Sequence, residues 1–197
     1  MSKILILFAH PRLERSRVNA GLISGISEIP GVTCHDLYEA YPDYDVNVKY
    51  EQELVSRHDI IVWHHPFYWY SCPALTKQWI DLVLEHNWAY GRNGKALAGK
   101  KAFNAITTGG RHEAYQKDGM HKRTIGEFLY PFNQTARLCN MTYYPPFVVH
   151  KTHLLTHEEI IQYGEDYKEV LEMLANDEIG EEEILKNVYL NDILKYR

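Results

Sequence analysis

Residues 59–79 read DIIVWHHPFYWYSCPALTKQW, and the order of events in that stretch decides the fold. Ile60, Ile61, Val62 and Trp63 are apolar on both alternating sets of positions, the pattern of a parallel strand covered on both faces. A loop of four aromatic rings follows, and then a segment with helical spacing, Pro73 to Glu85, carrying proline in its first turn. Strand, loop and helix in that order form half of a βαβ unit.

Outward from it the same unit recurs. Strands are expected at KILILFA from Lys3, KAFNAIT from Lys101 and YPPFVVHK from Tyr144, with a weaker one at GVTCHDLY from Gly31. Helical spacing covers Arg17 to Glu28, Val48 to Arg57, His121 to Leu138 and His157 to Asn176. Strand and helix alternating through short links predict an α/β fold, a three-layer doubly wound parallel sheet. Beyond Ala175 the composition changes to NDEIGEEEILKNVYLNDILKYR. This is read as an appended arm, residues 176–197, whose short helix keeps Ile184, Leu185, Val188, Leu190, Ile193 and Leu194 on one side. That side closes over the chain's own core or packs on a partner subunit.

With 197 residues, 45% of them hydrophobic, the chain can bury the core of one domain. A net charge of -5 leaves no basic field for nucleic acid or an anionic membrane surface. Cys34, Cys72 and Cys139 are odd in number, far apart and free of any C-x-x-C pair, which suggests neither a disulfide framework nor a zinc site and fits a reducing cytoplasm. The run ILILFA is too short for a signal-peptide core, and no run approaches the ~20 apolar residues of a membrane span. A soluble, intracellular protein with no metal is expected.

Ligands of such sheets bind beyond the carboxyl ends of the strands, so the following loops carry the functional reading. After the first strand, AHPRLERSRVNAGL contains neither G-x-G-x-x-G nor a P-loop. It sets His10, Ser16 and Asn19 at a helix entrance, where they hold a phosphate, or where Ser16 caps the helix and His10 fills space. After the third strand, His64, His65 and Pro66 replace the acidic residue of a phospho-acceptor. Phe67, Tyr68, Trp69 and Tyr70 form a wall for a planar ligand, or an ordinary hydrophobic lid. After the fourth strand, ITTGGRHEAYQKDGMH lets Gly109 and Gly110 bring the backbone close to something. Tyr115 and His121, six residues apart, can both donate hydrogen bonds to developing negative charge; taken singly, each is better explained by exposure to water.

The motifs AHP…S..N, D.IVW.HP..WYS.PA..K.WID, WAYG..G.AL.GK and TTGG stand in the order found in the NAD(P)H dehydrogenase (quinone) family of flavodoxin-like fold, which the chain resembles from Lys3 to about His153. That family includes the animal quinone reductases and the ancillary subunits of bacterial glutathione-regulated potassium efflux. The resemblance implies a five-stranded parallel sheet of order 2-1-3-4-5 in residues 1–175, and a flavin at the interface of a homodimer. It implies that His10, Ser16, Arg17, Val18 and Asn19 hold the flavin phosphate and ribityl chain. Pro66, Phe67, Tyr68, Trp69 and Tyr70 would line the isoalloxazine, and Thr107, Thr108, Gly109 and Gly110 its polar edge. Tyr115 and His121 match the pair that supports hydride transfer in the animal enzymes.

The implied activity is two-electron, ping-pong transfer from NAD(P)H through the flavin to a quinone or a similar flat acceptor, azo and nitro compounds included. FMN is favoured over FAD because the long extension of the FAD-binding members is missing. Arg111, His112 and Glu113 depart from the small residues of the animal enzymes: Arg111 meets a phosphate of NADPH or is a solvated loop charge. The alternative implied by the same resemblance is a regulatory subunit on a membrane potassium-efflux transporter, peripheral at the inner face of the membrane, with reductase activity secondary.

Overall fold

The computed structural model describes residues 1–196; Arg197, the last residue of the expected arm, lies outside the described residues. Alternation along the central strands sets up two apolar faces. On β1, Ile4–Phe8, the side chains of Ile4, Ile6 and Phe8 enter one core while Leu5 and Leu7 enter the other. On β3, Ile60–Pro66, Ile60 and Val62 face the first core and Ile61 and Trp63 the second. Phe103 and Ala105 oppose Ala102 and Ile106 in the same way on β4, Lys101–Thr107. With β2, Val32–Asp36, and β5, Thr142–Tyr143, these pair in parallel in the order β2-β1-β3-β4-β5, so the expected fold and strand order hold.

The fifth strand position differs in detail from the expected YPPFVVHK. It is split into β5, Thr142–Tyr143, and β6, Phe147–Val149, which pair with opposite ends of β4. Pro145 and Pro146 between them have no N–H to give a ladder, so the pairing must lapse there. The connection stays in register because Tyr144 N–H donates to the Ala102 carbonyl at 2.8 Å.

The helices cover both faces. On the first lie α1, Arg17–Ile23, and α7, His157–Ala175, whose Val18, Leu22, Tyr167 and Leu171 join the Ile4 core. On the other lie α2, Leu37–Ala40; α3, Val48–Ser56; α4, Ala74–Val83; α5, Ile125–Phe128; and α6, Tyr130–Leu138. Two expected helices are interrupted. The first ends at Ile23 because Gly25 takes a φ of 73° and a separate 3-10 turn, Ile26–Glu28, follows. The span from His121 becomes helical only at Ile125, where Thr124 and Glu127 form a capping box, and restarts at Tyr130 with Pro131 in the new first turn. The short α2 was not expected; Asp36 creates it by accepting from the backbone N–H groups of Tyr38 and Glu39.

Beyond α7 the chain forms not one helix but α8, Glu181–Ile184, and a 3-10 turn, Leu190–Tyr196. Ile184, Leu190 and Ile193 are buried in the chain's own core, whereas Leu185 and Val188 face solvent. Asn191 binds both the N–H and the C=O of Val148, at 2.9 and 3.1 Å, occupying the free edge of β6. Among the described residues no helix is long and apolar enough to cross a membrane.

Burial pushes the His64 imidazole down to about 3 and those of His65 and His150 down to about 4. The folded protein holds all three neutral, while the unfolded chain protonates each below a pH of about 6.5. Stability is therefore lost as pH falls through that value, each histidine adding to the loss until its folded value is reached. Urea denaturation midpoints at pH 7.5, 6, 5 and 4.5 check this: they should fall steadily, and His65→Asn should flatten the slope without abolishing it, because His64, His150, His10 and His58 are also held below their ordinary values.

Candidate functional site

At the carboxyl ends of β1, β3 and β4 the loops part to form a cleft of about 740 Å³. Its polar side comes from the segment after β1. The Ser16 hydroxyl accepts the Asn19 N–H at 3.3 Å and the Asn19 side-chain amide at 2.9 Å, so it does cap α1, and its own O–H is left to donate into the cleft. The same Asn19 amide donates to Thr107 Oγ1 at 3.1 Å, tying the start of α1 to the end of β4. Asn19 Oδ1 is buried without a hydrogen-bond partner, although Asn19 lines the cleft. His10 accepts the Arg12 N–H on Nδ1 at 3.1 Å, and burial holds its imidazole below the ordinary value, so its proton sits on Nε2 and can be donated. Arg12, Arg15 and Arg17 add positive charge around these groups.

Pro66, Phe67, Tyr68 and Trp69 make the opposite, aromatic side. The Ser71 N–H donates to the Tyr68 carbonyl at 2.9 Å across a tight turn whose two central residues, Trp69 and Tyr70, have φ of 48° and 64°. Turns of this kind ordinarily carry Asn-Gly, so two bulky aromatics there hold backbone strain. The outcome is a Trp69 ring 92% exposed beside the cleft. Tyr70 turns away, stacking on Phe128 with ring centres 5.2 Å apart.

The glycine corner serves two neighbours. A Cβ on Gly109 would stand 3.2 Å from His153 Nε2, and one on Gly110 would stand 2.9 Å from the Tyr115 ring. Thr107 and Gly109 line the cleft; Thr108 and Gly110 do not. Thr108 points behind the corner, where its hydroxyl meets the Gly110 carbonyl at 2.9 Å and His150 Nδ1 at 3.0 Å.

Tyr115 and His121 come together behind the aromatic side, their rings stacked at 4.6 Å and 30°. Tyr115 is buried, and that burial pushes its phenol up, so it stays protonated at neutral pH. Neither ring lines the cleft, but Phe67 belongs to both groups, lying 5.9 Å from Tyr115.

The sequence reading passed over Arg12, Arg15, Thr152 and His153, all of which line the cleft. Thr152 and His153 follow β6, and the switch-point rule applied to that strand as well would have found them. Arg12 and Arg15 stand inside a loop already chosen, but their cationic side chains carry no sign that separates a lining residue from a solvated one.

The family described as flavodoxin-like fold matches residues 2–171. The chain belongs to this flavodoxin-like family. Among its relatives is the glutathione-regulated potassium-efflux system ancillary protein KefF of Enterobacter sp. (strain 638), 42% identical over 168 residues that cover 85% of this chain and 94% of that protein. Among solved structures, the general stress protein 14 of Treponema denticola, in complex with FMN, superposes with a TM-score of 0.84 at 39% identity, covering 87% of this chain and 99% of that one. A protein from P. pentosaceus described as an NADPH-quinone reductase gives 0.78 at 34%, covering 90% and 99%.

For this flavodoxin-like chain the corner is tested by Gly110→Ala. The new methyl must displace a buried ring, so urea denaturation should show a loss of about 1–3 kcal/mol, with Gly109→Ala milder because His153 yields more easily.

Proposed function

We propose that the chain is a flavin-dependent NAD(P)H dehydrogenase (quinone), with FMN in the cleft and a quinone or similar flat molecule as electron acceptor. The observation that carries this is the pairing, in one cleft, of a polar cradle that has an unsatisfied acceptor with an aromatic wall. A ribityl hydroxyl would satisfy Asn19 Oδ1, and the Ser16 hydroxyl, the His10 Nε2–H and the guanidinium groups of Arg12, Arg15 and Arg17 would meet a phosphate. Val18 would pack beside them. Pro66, Phe67, Tyr68 and Trp69 would border the ring system, with Thr107 and Gly109 along its polar edge; Tyr70, Thr108 and Gly110 lie outside the cleft and would act only by supporting these residues. FMN bound to the Treponema neighbour and the description of the P. pentosaceus neighbour support the reading.

Bound FMN supplies a centre that takes a hydride from NAD(P)H and passes two electrons on. Tyr115 and His121, stacked on each other behind Phe67, would supply proton donors toward the negative charge that develops on the reduced ring. Trp69 and Met120, 92% and 82% exposed, offer apolar surface for a second copy, which would complete a homodimer and narrow the cleft. FAD would need further room for its adenylate and is the lesser candidate. Partnership with a membrane potassium-efflux transporter, at the inner face of the membrane, is a second reading, favoured by the identity with KefF along nearly its whole length.

Protein incubated with FMN and desalted should retain flavin absorbance, bleach under anaerobic NADPH and recover with a benzoquinone. Protein that keeps no flavin, or keeps it without bleaching, would overturn the reductase. Tyr115→Phe combined with His121→Ala should slow flavin reduction by roughly tenfold to a thousandfold in stopped flow while leaving FMN bound. A double variant reduced at the wild-type rate would remove the pair from the reaction.

A further inference from the structure

The glycine corner is carried from behind by the residues that follow β6. The Thr108 N–H donates to the Val149 carbonyl at 2.8 Å, the Lys151 N–H to the Gly110 carbonyl at 2.9 Å and the Thr152 N–H to the Thr108 carbonyl at 3.1 Å. The chain then runs straight on through Thr152 and His153, which line the cleft, and His153 lies against Gly109. Lys151 holds a φ of 51°, a left-handed conformation that a lysine keeps only where its surroundings fix it. One side of the cleft therefore depends on how firmly β6 and the residues after it are held.

β6 is short and meets another strand, β4, on one edge only. Val148 turns both of its backbone groups to the other edge, where Asn191 takes them: its side-chain oxygen accepts the N–H at 2.9 Å and its amide donates to the C=O at 3.1 Å. Beside it the Leu190 N–H donates to the Pro146 carbonyl at 2.9 Å. Leu190 and Ile193 sink into the Ile4 core and anchor the segment there. Tyr189 sets its ring against both sides of the corner, with centres 6.0 Å from His150 and 5.9 Å from His112. Tyr189, Leu190, Asn191 and Ile193 all lie beyond residue 171, where the family match ends.

We infer that the C-terminal segment from Tyr189 to Ile193 positions the glycine corner and the Thr152–His153 rim of the cleft, with Asn191 as its central positioning residue. With Asn191 in place β6 is bonded on both edges, and the corner that hangs on it is set before a ligand enters. A wall that is already ordered gives tighter binding than one the ligand must order. Without Asn191 the two backbone groups of Val148 lose their partner, the outer edge of β6 opens, and the corner loosens with it. This rests on the reading of the cleft as the FMN site.

Native-state hydrogen exchange on the flavin-free wild-type protein tests this without a variant. The amides of Leu190, Val148, Thr108, Lys151 and Thr152 should open as one unit, with opening constants within about threefold of one another. Leu190 and Val148 amides that open more readily than that, relative to those of Thr108, Lys151 and Thr152, would show a segment that frays alone and would overturn the inference. Asn191→Ala should then speed exchange at Thr108, Lys151 and Thr152 about tenfold, leave the amides of β1 unchanged, and weaken FMN about tenfold in a fluorescence titration, the scale of a lost pair of hydrogen bonds. Ile184→Val thins the core beneath the same segment without touching the edge of β6, and controls for a general loss of stability; its FMN affinity should stay within about twofold of wild type. An Asn191→Ala affinity equal to wild type, or an Ile184→Val loss as large as that of Asn191→Ala, would overturn the role of the segment and leave FMN in the cleft. Wild-type protein that retains no FMN would overturn the reading of the cleft, and this role with it.

Discussion

Strands β1, β3 and β4 show no face to water, so each backbone N–H and C=O along them must be met by a neighbouring strand. Parallel pairing achieves this only while the ladder runs, and at the carboxyl ends it stops. Polar groups collect there because the apolar faces cannot take them: Thr107 and Thr108 close β4, and His64 and His65 lie near the end of β3. The amide of Asn19 bridges Ser16 and Thr107 across this mouth. It holds the start of α1 at a fixed distance from β4 and keeps the cleft open between them. The strained turn at Trp69 and Tyr70 depends on the same frame, since only an anchored Pro66 and Phe67 can keep two aromatic residues in a left-handed conformation.

What was legible in the sequence follows from that constraint. Central strands buried on both faces write continuous apolar runs, which made those at Lys3, Asp59 and Lys101 legible, while their order of pairing followed from the family resemblance. The fifth was less clear because Pro145 and Pro146 sit inside an otherwise apolar run and cut it into β5 and β6. Helix interruptions at Gly25 and before Thr124 were missed for a related reason: apolar spacing continues across both, and only the left-handed glycine and the capping box stop the backbone. In the cleft, residues adjacent in sequence to a strand end were found. Thr152 and His153 follow the split strand and were not. The inward turn of Thr108 toward His150 is a matter of side-chain direction across 42 residues, which no local pattern encodes.

Fold alone does not separate the readings of this molecule, since flavodoxin-like sheets carry many chemistries. The weight falls on the composition of the cleft. A bare regulatory module has no use for a stacked phenol and imidazole behind the aromatic wall. A reductase does, because a donor held in place before charge appears costs nothing to reorganise when it does. A transporter partner, on the reading proposed above, would be served by a different surface, so the two functions need not compete for the same residues.

The buried polar groups divide in a way that bears on the same question. Glu51 is fully buried, yet its carboxylate accepts from His35, Tyr41 and Trp79. Burial pushes its acidity toward the neutral form, and those three donors together outweigh it and hold the carboxyl below its ordinary value. Asn104 is likewise closed, donating to His65 and accepting from Tyr143. Such networks are finished within the protein and add rigidity under the helices. Asn19 is different: its amide nitrogen is doubly engaged, whereas its buried oxygen has no partner in a residue that lines the cleft. An unsatisfied buried acceptor costs about 1–3 kcal/mol in the free protein. A ligand hydroxyl that reaches it recovers that free energy on binding, so the imperfection in the folded chain becomes part of the affinity and orientation of what enters.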